Sequence, residues 1–206
     1  MTRDAREAYA RRSGEYIDLF GEIDSVHPAD LELVTRWARG VGGPVLDAGC
    51  GPGQWTGHLA GVGVDIRGVD GVGEFVDHAR RANPGCGFEQ ADLDSLPYAD
   101  ASMSGVLAWY SLIHHEPREV STPLRELARV LRPGGQLLIG YFHAPEAGDP
   151  GDVRFDHAVA PAFRWSTGAL TGRLRMADFE VVETHTRTGP GHRPHGAIVA
   201  RLSTPS

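Results

Sequence analysis

Two acids and a run of alternating glycines hold the chemistry open to this chain. Val45-Leu46-Asp47-Ala48-Gly49-Cys50-Gly51-Pro52-Gly53 starts as an apolar strand and then breaks into glycines at every second position. Glycine is required where backbone turns sharply and a ligand lies against it, because a Cβ would fill that space. In open α/β sheets, ligands bind at the carboxyl ends of the strands, where this loop falls. Ile66-Arg67-Gly68-Val69-Asp70 reads as the next strand. It ends in an acid about twenty residues on, the spacing of a carboxylate that grips ribose hydroxyls. A dinucleotide fingerprint would need glycine at position 54, and the residue there is Gln54. Asp47 would repel a pyrophosphate and attract an ammonium group. The ligand these residues predict is a ribose-bearing, phosphate-free cation.

Such residues need strands alternating with helices to hold them, and the chain has that pattern after residue 44, as in a parallel, doubly wound sheet. Residues 1–40 read as two or three short helices. The last has Pro28 in its first turn, Leu31, Val34, Thr35 and Ala38 on one face, and Gly40 as its stop. Ahead of it, Tyr9, Tyr16 and Phe20 mark an aromatic helical segment. Gln54 to Ala60 predicts a helix, and Val72, Phe75, Val76 and Ala79 predict another that stops at Asn83-Pro84-Gly85. Gly87 to Gln90 is a third strand and Met103 to Trp109 a fourth. Ser121 or Thr122, with Pro123, opens a helix whose apolar face is Leu124, Leu127, Ala128 and Leu131. Pro133-Gly134-Gly135 turns the chain into a fifth strand, Gln136 to Phe142. Residues 144–164 lack periodicity and predict a long loop of the kind that carries function. A helix follows from Trp165-Ser166 through Ala177. Glu180 to Thr186 and Gly196 to Leu202 are then two strands joined by a Gly/Pro-rich loop.

At 206 residues the chain suits one domain with a sizeable core. Its formal charge is −7 without a basic block, which disfavours nucleic acid as a partner. Its two cysteines, Cys50 and Cys86, lack metal-type spacing and point to a reducing compartment. No run approaches membrane-spanning length, and the charged N-terminus has no apolar signal core, so a cytoplasmic protein is expected.

Gly68-Val69-Asp70, Ala91-Asp92-Leu93 and Leu131-Arg132-Pro133-Gly134-Gly135 follow the glycine loop in order. Through these motifs the chain resembles the class I S-adenosylmethionine-dependent methyltransferases over residues 44 to 142. The resemblance implies an α/β, Rossmann-like, doubly wound, seven-stranded sheet. It would be mostly parallel, with a C-terminal antiparallel hairpin and helices on both faces. It also implies an N-terminal helical lid over residues 1–40, although Tyr9, Tyr16 and Phe20 fit simple packing on the sheet's flank as well. A cofactor-binding domain would span 41–202, with a disordered tail at 203–206. S-adenosylmethionine has the ribose, the positive tail and no phosphate. Asp47 would orient its amino group, and Gly49, Cys50, Gly51 and Gly53 would give it close backbone approach. Asp70, followed by Gly71, would hold the ribose. Asp92 would accept from the adenine amine while the Leu93 N–H reaches a ring nitrogen, with Asp94 and Asp100 as alternatives. Tyr16 and Trp109 would wall the cofactor. Gly71-Val72-Gly73 departs from the family, which commonly places a Ser-containing turn there.

Methyl transfer is an in-line displacement that needs alignment and a dry site more than a strong acid. Trp109 and Tyr110, at the end of the fourth strand, could hold a sulfonium by cation–π attraction. A hydroxyl or protonated amine acceptor benefits from a base. His114, His115 and His143 are the candidates, since histidine accepts protons near neutral pH, and His192 and His195 are more distant ones. No metal is expected: neighbouring His114 and His115 point their rings apart, and the acids are scattered. Ala108-Trp109-Tyr110-Ser111 stands where base-amine methyltransferases carry an Asn/Asp-Pro-Pro-aromatic run. The expected partner is therefore a small organic acceptor, with no nucleic acid and no membrane, for a monomer or homodimer. Two other readings compete. An NAD(P)-dependent reductase lacks its Tyr-x-x-x-Lys donor here, and a non-catalytic S-adenosylmethionine-binding or regulatory protein stays open because methyl transfer has no obligatory signature.

Overall fold

The computed structural model of the chain describes residues 1, 3–144, 152–189 and 192–204. β1 (Val45–Ala48), β2 (Ile66–Asp70), β3 (Gly87–Gln90), β4 (Met103–Trp109) and β5 (Leu131–Phe142) are parallel neighbours in the order β3-β2-β1-β4-β5. β6 (Asp152–Phe155) and β7 (Ala162–Trp165) form a separate hairpin. β8 (Phe179–Gly189) and β9 (His192–Leu202) complete the seven-stranded sheet, with β9 antiparallel to β5 and β8 outside it. The chain runs outward from β1 to β3, then crosses to β4 on the other side of β1. Loops leaving β1 and β4 therefore diverge and leave a crevice at their carboxyl ends.

α1 (Arg3–Arg11), α2 (Ser13–Phe20) and α3 (Pro28–Gly40) precede the sheet, and α4 (Gln54–Gly61), α5 (Gly73–Ala82), α6 (Ser121–Val130) and α7 (Thr167–Arg175) follow within it. Strand alternation sends Leu46, Ala48, Val106, Leu137 and Ile139 to one face, against Leu124 and Leu127 of α6 and Leu170 of α7. It sends Val45, Leu107 and Leu138 to the other, against Val34 and Trp37 of α3 and Leu59 of α4. Both faces are covered, which is why the strands read as continuous apolar runs.

The structure departs from the sequence reading at element edges and in one connection. β5 begins at Leu131 instead of Gln136, and Pro133-Gly134-Gly135 lie inside it at a register irregularity opposite Met103 and Gly105, with Gly134 at φ +75°. Where a long loop was expected, residues 152–165 form the β6–β7 hairpin; residues 145–151 of that loop lie outside the described residues. The hairpin's anchor is distant in sequence: Phe163 N–H donates to Ile113 O at 2.8 Å. Trp165 ends β7, so the next helix starts at Thr167, capped by Ser166 Oγ accepting from Ala169 N–H at 3.2 Å. β8 and β9 extend past Thr186 and Gly196 to Gly189 and His192. Pro194 fits there because only its carbonyl is used, accepting from His143 N–H at 2.9 Å. Of the expected tail, residues 205–206 lie outside the described residues, and Ser203 N–H still donates to Asp178 O at 2.9 Å.

Candidate cofactor and acceptor site

A cavity of about 960 Å³ opens at the crevice between the ends of β1 and β4. Asp70 closes β2 there. Its Oδ2 accepts from Gly51 N–H at 2.9 Å and its Oδ1 from Val72 N–H at 2.8 Å, so one carboxylate ties the two loops together and still faces the cavity. Burial pushes its carboxyl up, while these N–H groups and the Arg6 charge hold it back. Asp47 is 1 % exposed, and its Oδ2 accepts from the Thr56 hydroxyl at 2.7 Å. Burial pushes its carboxyl up to about 7; Thr56 lowers it and the Asp70 charge raises it.

The glycines carry a different demand from the one expected. A Cβ at Gly49 would stand 2.2 Å from Ser111 Cβ, and one at Gly53 would stand 2.7 Å from Ala79 Cβ. Their φ values, +83° and +90°, also lie in the left-handed region. Packing of the loop against Ser111, just beyond β4, and against Ala79 of α5 therefore requires both. Only at Gly51 does the missing side chain leave open space, and Gly53 does not line the cavity. Cys50, Gly71, Leu93, Trp109 and Tyr16 do line it. Asp92 lines it too, but its Oδ2 is bonded to the Arg6 guanidinium, so an adenine amine would share that carboxylate with α1. The alternatives turn elsewhere: Asp94 lies 3.5 Å from His115 Nε2, and Asp100 pairs with Arg129 at 2.6 Å.

Of the three histidines expected as bases, only His114 lines the cavity. Its Nδ1 sits 2.8 Å from Pro161 O and its Nε2 2.9 Å from the Tyr9 hydroxyl. A carbonyl only accepts, so Nδ1 carries the proton and Nε2 is left to accept from Tyr9. Burial lowers the pKa of this ring and favours its neutral form. His115 is buried toward Asp94, and His143 is placed beside Trp165 by a backbone bridge, its ring near Tyr141. Tyr110 has φ +58°, a strained value for a side chain of its size, of the sort found at functional sites. It presents its hydroxyl to His195 Nδ1. Arg6, His157, Arg187 and Arg193 also line the cavity. Sequence reasoning missed them because no local pattern links them to the glycine loop.

Among the described residues, no group of three or more His, Cys, Asp or Glu side chains could hold a metal. The residues do fit S-adenosylmethionine. Two buried carboxylates share the cavity, and the one at Asp47 has no ion pair among the described residues. Gln54 and Ser111 line the same space, and the Oε1 of one and the Oγ of the other are buried without hydrogen-bond partners among the described residues. A third anion such as pyrophosphate would be repelled by these carboxylates, whereas a cation carrying hydroxyls would satisfy them.

Residues 45–135 match the family described as "Methyltransferase domain". With this strand order and this pair of acids, residues 45–135 form a methyltransferase domain of the class I, S-adenosylmethionine-dependent type. It is 34 % identical over 113 residues to the malonyl-[acyl-carrier protein] O-methyltransferase of Erwinia billingiae (strain Eb661), covering 55 % of this chain and 44 % of that one. It is 33 % identical over 161 residues to the O-methyltransferase cnsE of Penicillium expansum, covering 74 % and 57 %. The chain thus spans about half the length of these curated relatives. Among solved structures, a 1,6-didemethyltoxoflavin-N1-methyltransferase of Burkholderia thailandensis, with bound 1,6-didemethyltoxoflavin and S-adenosylhomocysteine, superposes with a TM-score of 0.73. Its identity is 23 %, over 98 % of this chain and 92 % of that one, a likeness of fold. No helix among the described residues is long and apolar enough to cross a membrane.

Proposed function

We propose that the chain transfers the methyl group of S-adenosylmethionine to a small organic acceptor held in the same cavity. One observation carries this reading: the cavity continues past the acid-lined end, through Trp109 and Tyr110, to His114, Phe142 and His157. Its volume of about 960 Å³ lies at the upper end of the range for one drug-sized ligand, enough for a nucleoside and an acceptor side by side. Asp47 would hold the ammonium group, Asp70 the ribose, and Asp92 with the Leu93 N–H the adenine edge. S-adenosylmethionine bound there would supply an electrophilic methyl carbon on a sulfonium, with a neutral thioether as its leaving group.

The chain supplies a dry, aligned space and a destination for the proton. An acceptor hydroxyl donating to the Tyr9 oxygen gives up its proton there, while the Tyr9 proton moves to His114 Nε2. The positive charge then ends on an imidazolium whose Nδ1–H is held by the Pro161 carbonyl. Residues 1–40 act as a cap over a core of 41–202, since Tyr9 and Tyr16 pack on Phe75 of α5 at ring distances of 5.9 and 5.1 Å. A cytoplasmic location fits the two free cysteines, Cys50 and Cys86. A monomer or homodimer needs no partner of another kind.

Isothermal titration tests the reading. S-adenosylhomocysteine should bind and NADH should not; NADH binding in its place would refute it. Labelled methyl appearing in a small-molecule product from lysate supplies the catalytic half. Cofactor binding without any product would leave a binding protein.

A further inference from the structure

The far end of the cavity has the opposite charge from the cofactor end. Arg187, on β8, pairs through Nη2 with Asp30 of α3 at 2.7 Å. Its other terminal nitrogen, Nη1, is buried and has no partner among the described residues. A guanidinium is a planar fork built to grip a carboxylate through two nitrogens, and a buried donor left unmade is costly. Arg193, on β9, lies over the Phe142 ring at 5.8 Å. Between this end and His114 runs a wall of rings: His114 to His157 at 5.4 Å, His157 to Phe142 at 5.9 Å, Phe142 to Tyr110 at 4.9 Å. Burial lowers the pKa of His157 to about 4, so its ring joins the wall uncharged at neutral pH.

We propose that the acceptor is a flat, conjugated ring system bearing a carboxylate, its ring on the His114–His157–Phe142 wall and its carboxylate at Arg187 with Arg193 beside it. This rests on the methyltransferase reading of the same cavity and names the substrate class. Charge sets the orientation, because Asp47 and Asp70 disfavour an anion at the cofactor end and the arginines attract it to the other. A carboxylate gripped by guanidinium is a poor nucleophile, so Arg187 is an anchor, and the methylated group is a second substituent near Tyr9.

The test uses 2-naphthoate and its neutral counterpart, 2-naphthamide, titrated by calorimetry into the full chain with and without saturating S-adenosylhomocysteine. In the wild type the naphthoate should bind at least tenfold more tightly. Arg187→Gln should bring the two ligands within twofold of each other, and Arg193→Gln should reduce the gap, both with S-adenosylhomocysteine affinity unchanged. Arg187→Lys keeps the charge opposite Asp30, guards against misfolding, and should also lose most of the preference. Equal binding of the two ligands to the wild type, or a preference that survives Arg187→Gln or Arg187→Lys, overturns the proposal. Failure of S-adenosylhomocysteine to bind overturns the methyltransferase reading instead, and the ratio measured without it still decides the anion site.

Discussion

Asp47 is buried and has no ion pair among the described residues, and its charge state should govern cofactor affinity. Its carboxyl ionises near pH 7 in the fold, against 3.8 ordinarily. Between those values the folded chain keeps a proton that the unfolded chain has released. The stability tied to this group is therefore full below 3.8 and is lost as pH rises through about 7. Asp47→Asn removes that loss, so the variant's melting temperature should gain on the wild type from pH 4 to pH 8 in scanning calorimetry. An ammonium group needs the ionised carboxylate, so S-adenosylhomocysteine affinity should rise roughly tenfold per pH unit on the acid side and level off above Asp47's own value. A flat profile would remove Asp47 from the contact. At Asp70, substitution by alanine leaves Gly51 N–H and Val72 N–H without an acceptor, at about 1–3 kcal/mol each. Asp70→Ala should therefore lower the melting temperature and weaken S-adenosylhomocysteine binding by two orders of magnitude or more, roughly, in isothermal titration. Tyr9→Phe and His114→Ala should each lower kcat by roughly 100-fold with cofactor affinity kept, and the double variant should fall no further, because the pair moves one proton as a unit. Additive losses in steady-state kinetics would separate them. That both acids line the cavity was legible in the sequence, Asp70 from its spacing and Asp47 from its place just before the glycines. The Tyr9–His114 pair was not, since 105 positions separate its members.

Among the elements, α1 and α2 reach the site only by docking. Tyr9 packs edge-on and Tyr16 tilted against Phe75, and Arg6 reaches Asp92. Leu19 and Phe20 at the end of α2 are 65 % and 46 % exposed. If these helices cap bound cofactor, limited proteolysis at Leu19–Phe20 should slow when S-adenosylhomocysteine is added, and an unchanged rate would reduce them to a passive flank. α6 shows what periodicity can deliver, since Leu124, Leu127 and Val130 are fully buried on one stripe. Leu127→Ala should cost about 2–5 kcal/mol in chemical denaturation without changing the cofactor contacts. The β6–β7 hairpin shows where periodicity fails. Its strands are four residues each, and they are held by Ile113 and by pairing with each other. A short strand stabilised from elsewhere leaves little trace in its own sequence.

For the molecule as a whole, β9 lies on β5, and Ala197, Ile198, Val199 and Ala200 are buried there. A chain cut after Asp178 would bare the β5 edge and these partners' packing surfaces, so it should aggregate on expression while Arg187→Gln stays soluble. The hairpin thus closes the sheet and supplies the cationic end of the cavity.

Local order was enough to determine the parallel α/β core, the glycine bend and the acid about one strand–helix unit later, because turn chemistry and apolar period act over a few residues. It was also enough to determine that a phosphate-free cation, and no dinucleotide, suits Asp47 and Gln54. Only the tertiary structure decided which of His114, His115 and His143 faces the cavity, that Arg6 shares Asp92, and that Arg187 and Arg193 stand opposite the acids. The reason is geometric: those contacts join segments about a hundred residues apart or more, and sheet order and hairpin length, which no single segment encodes, set the distances between them.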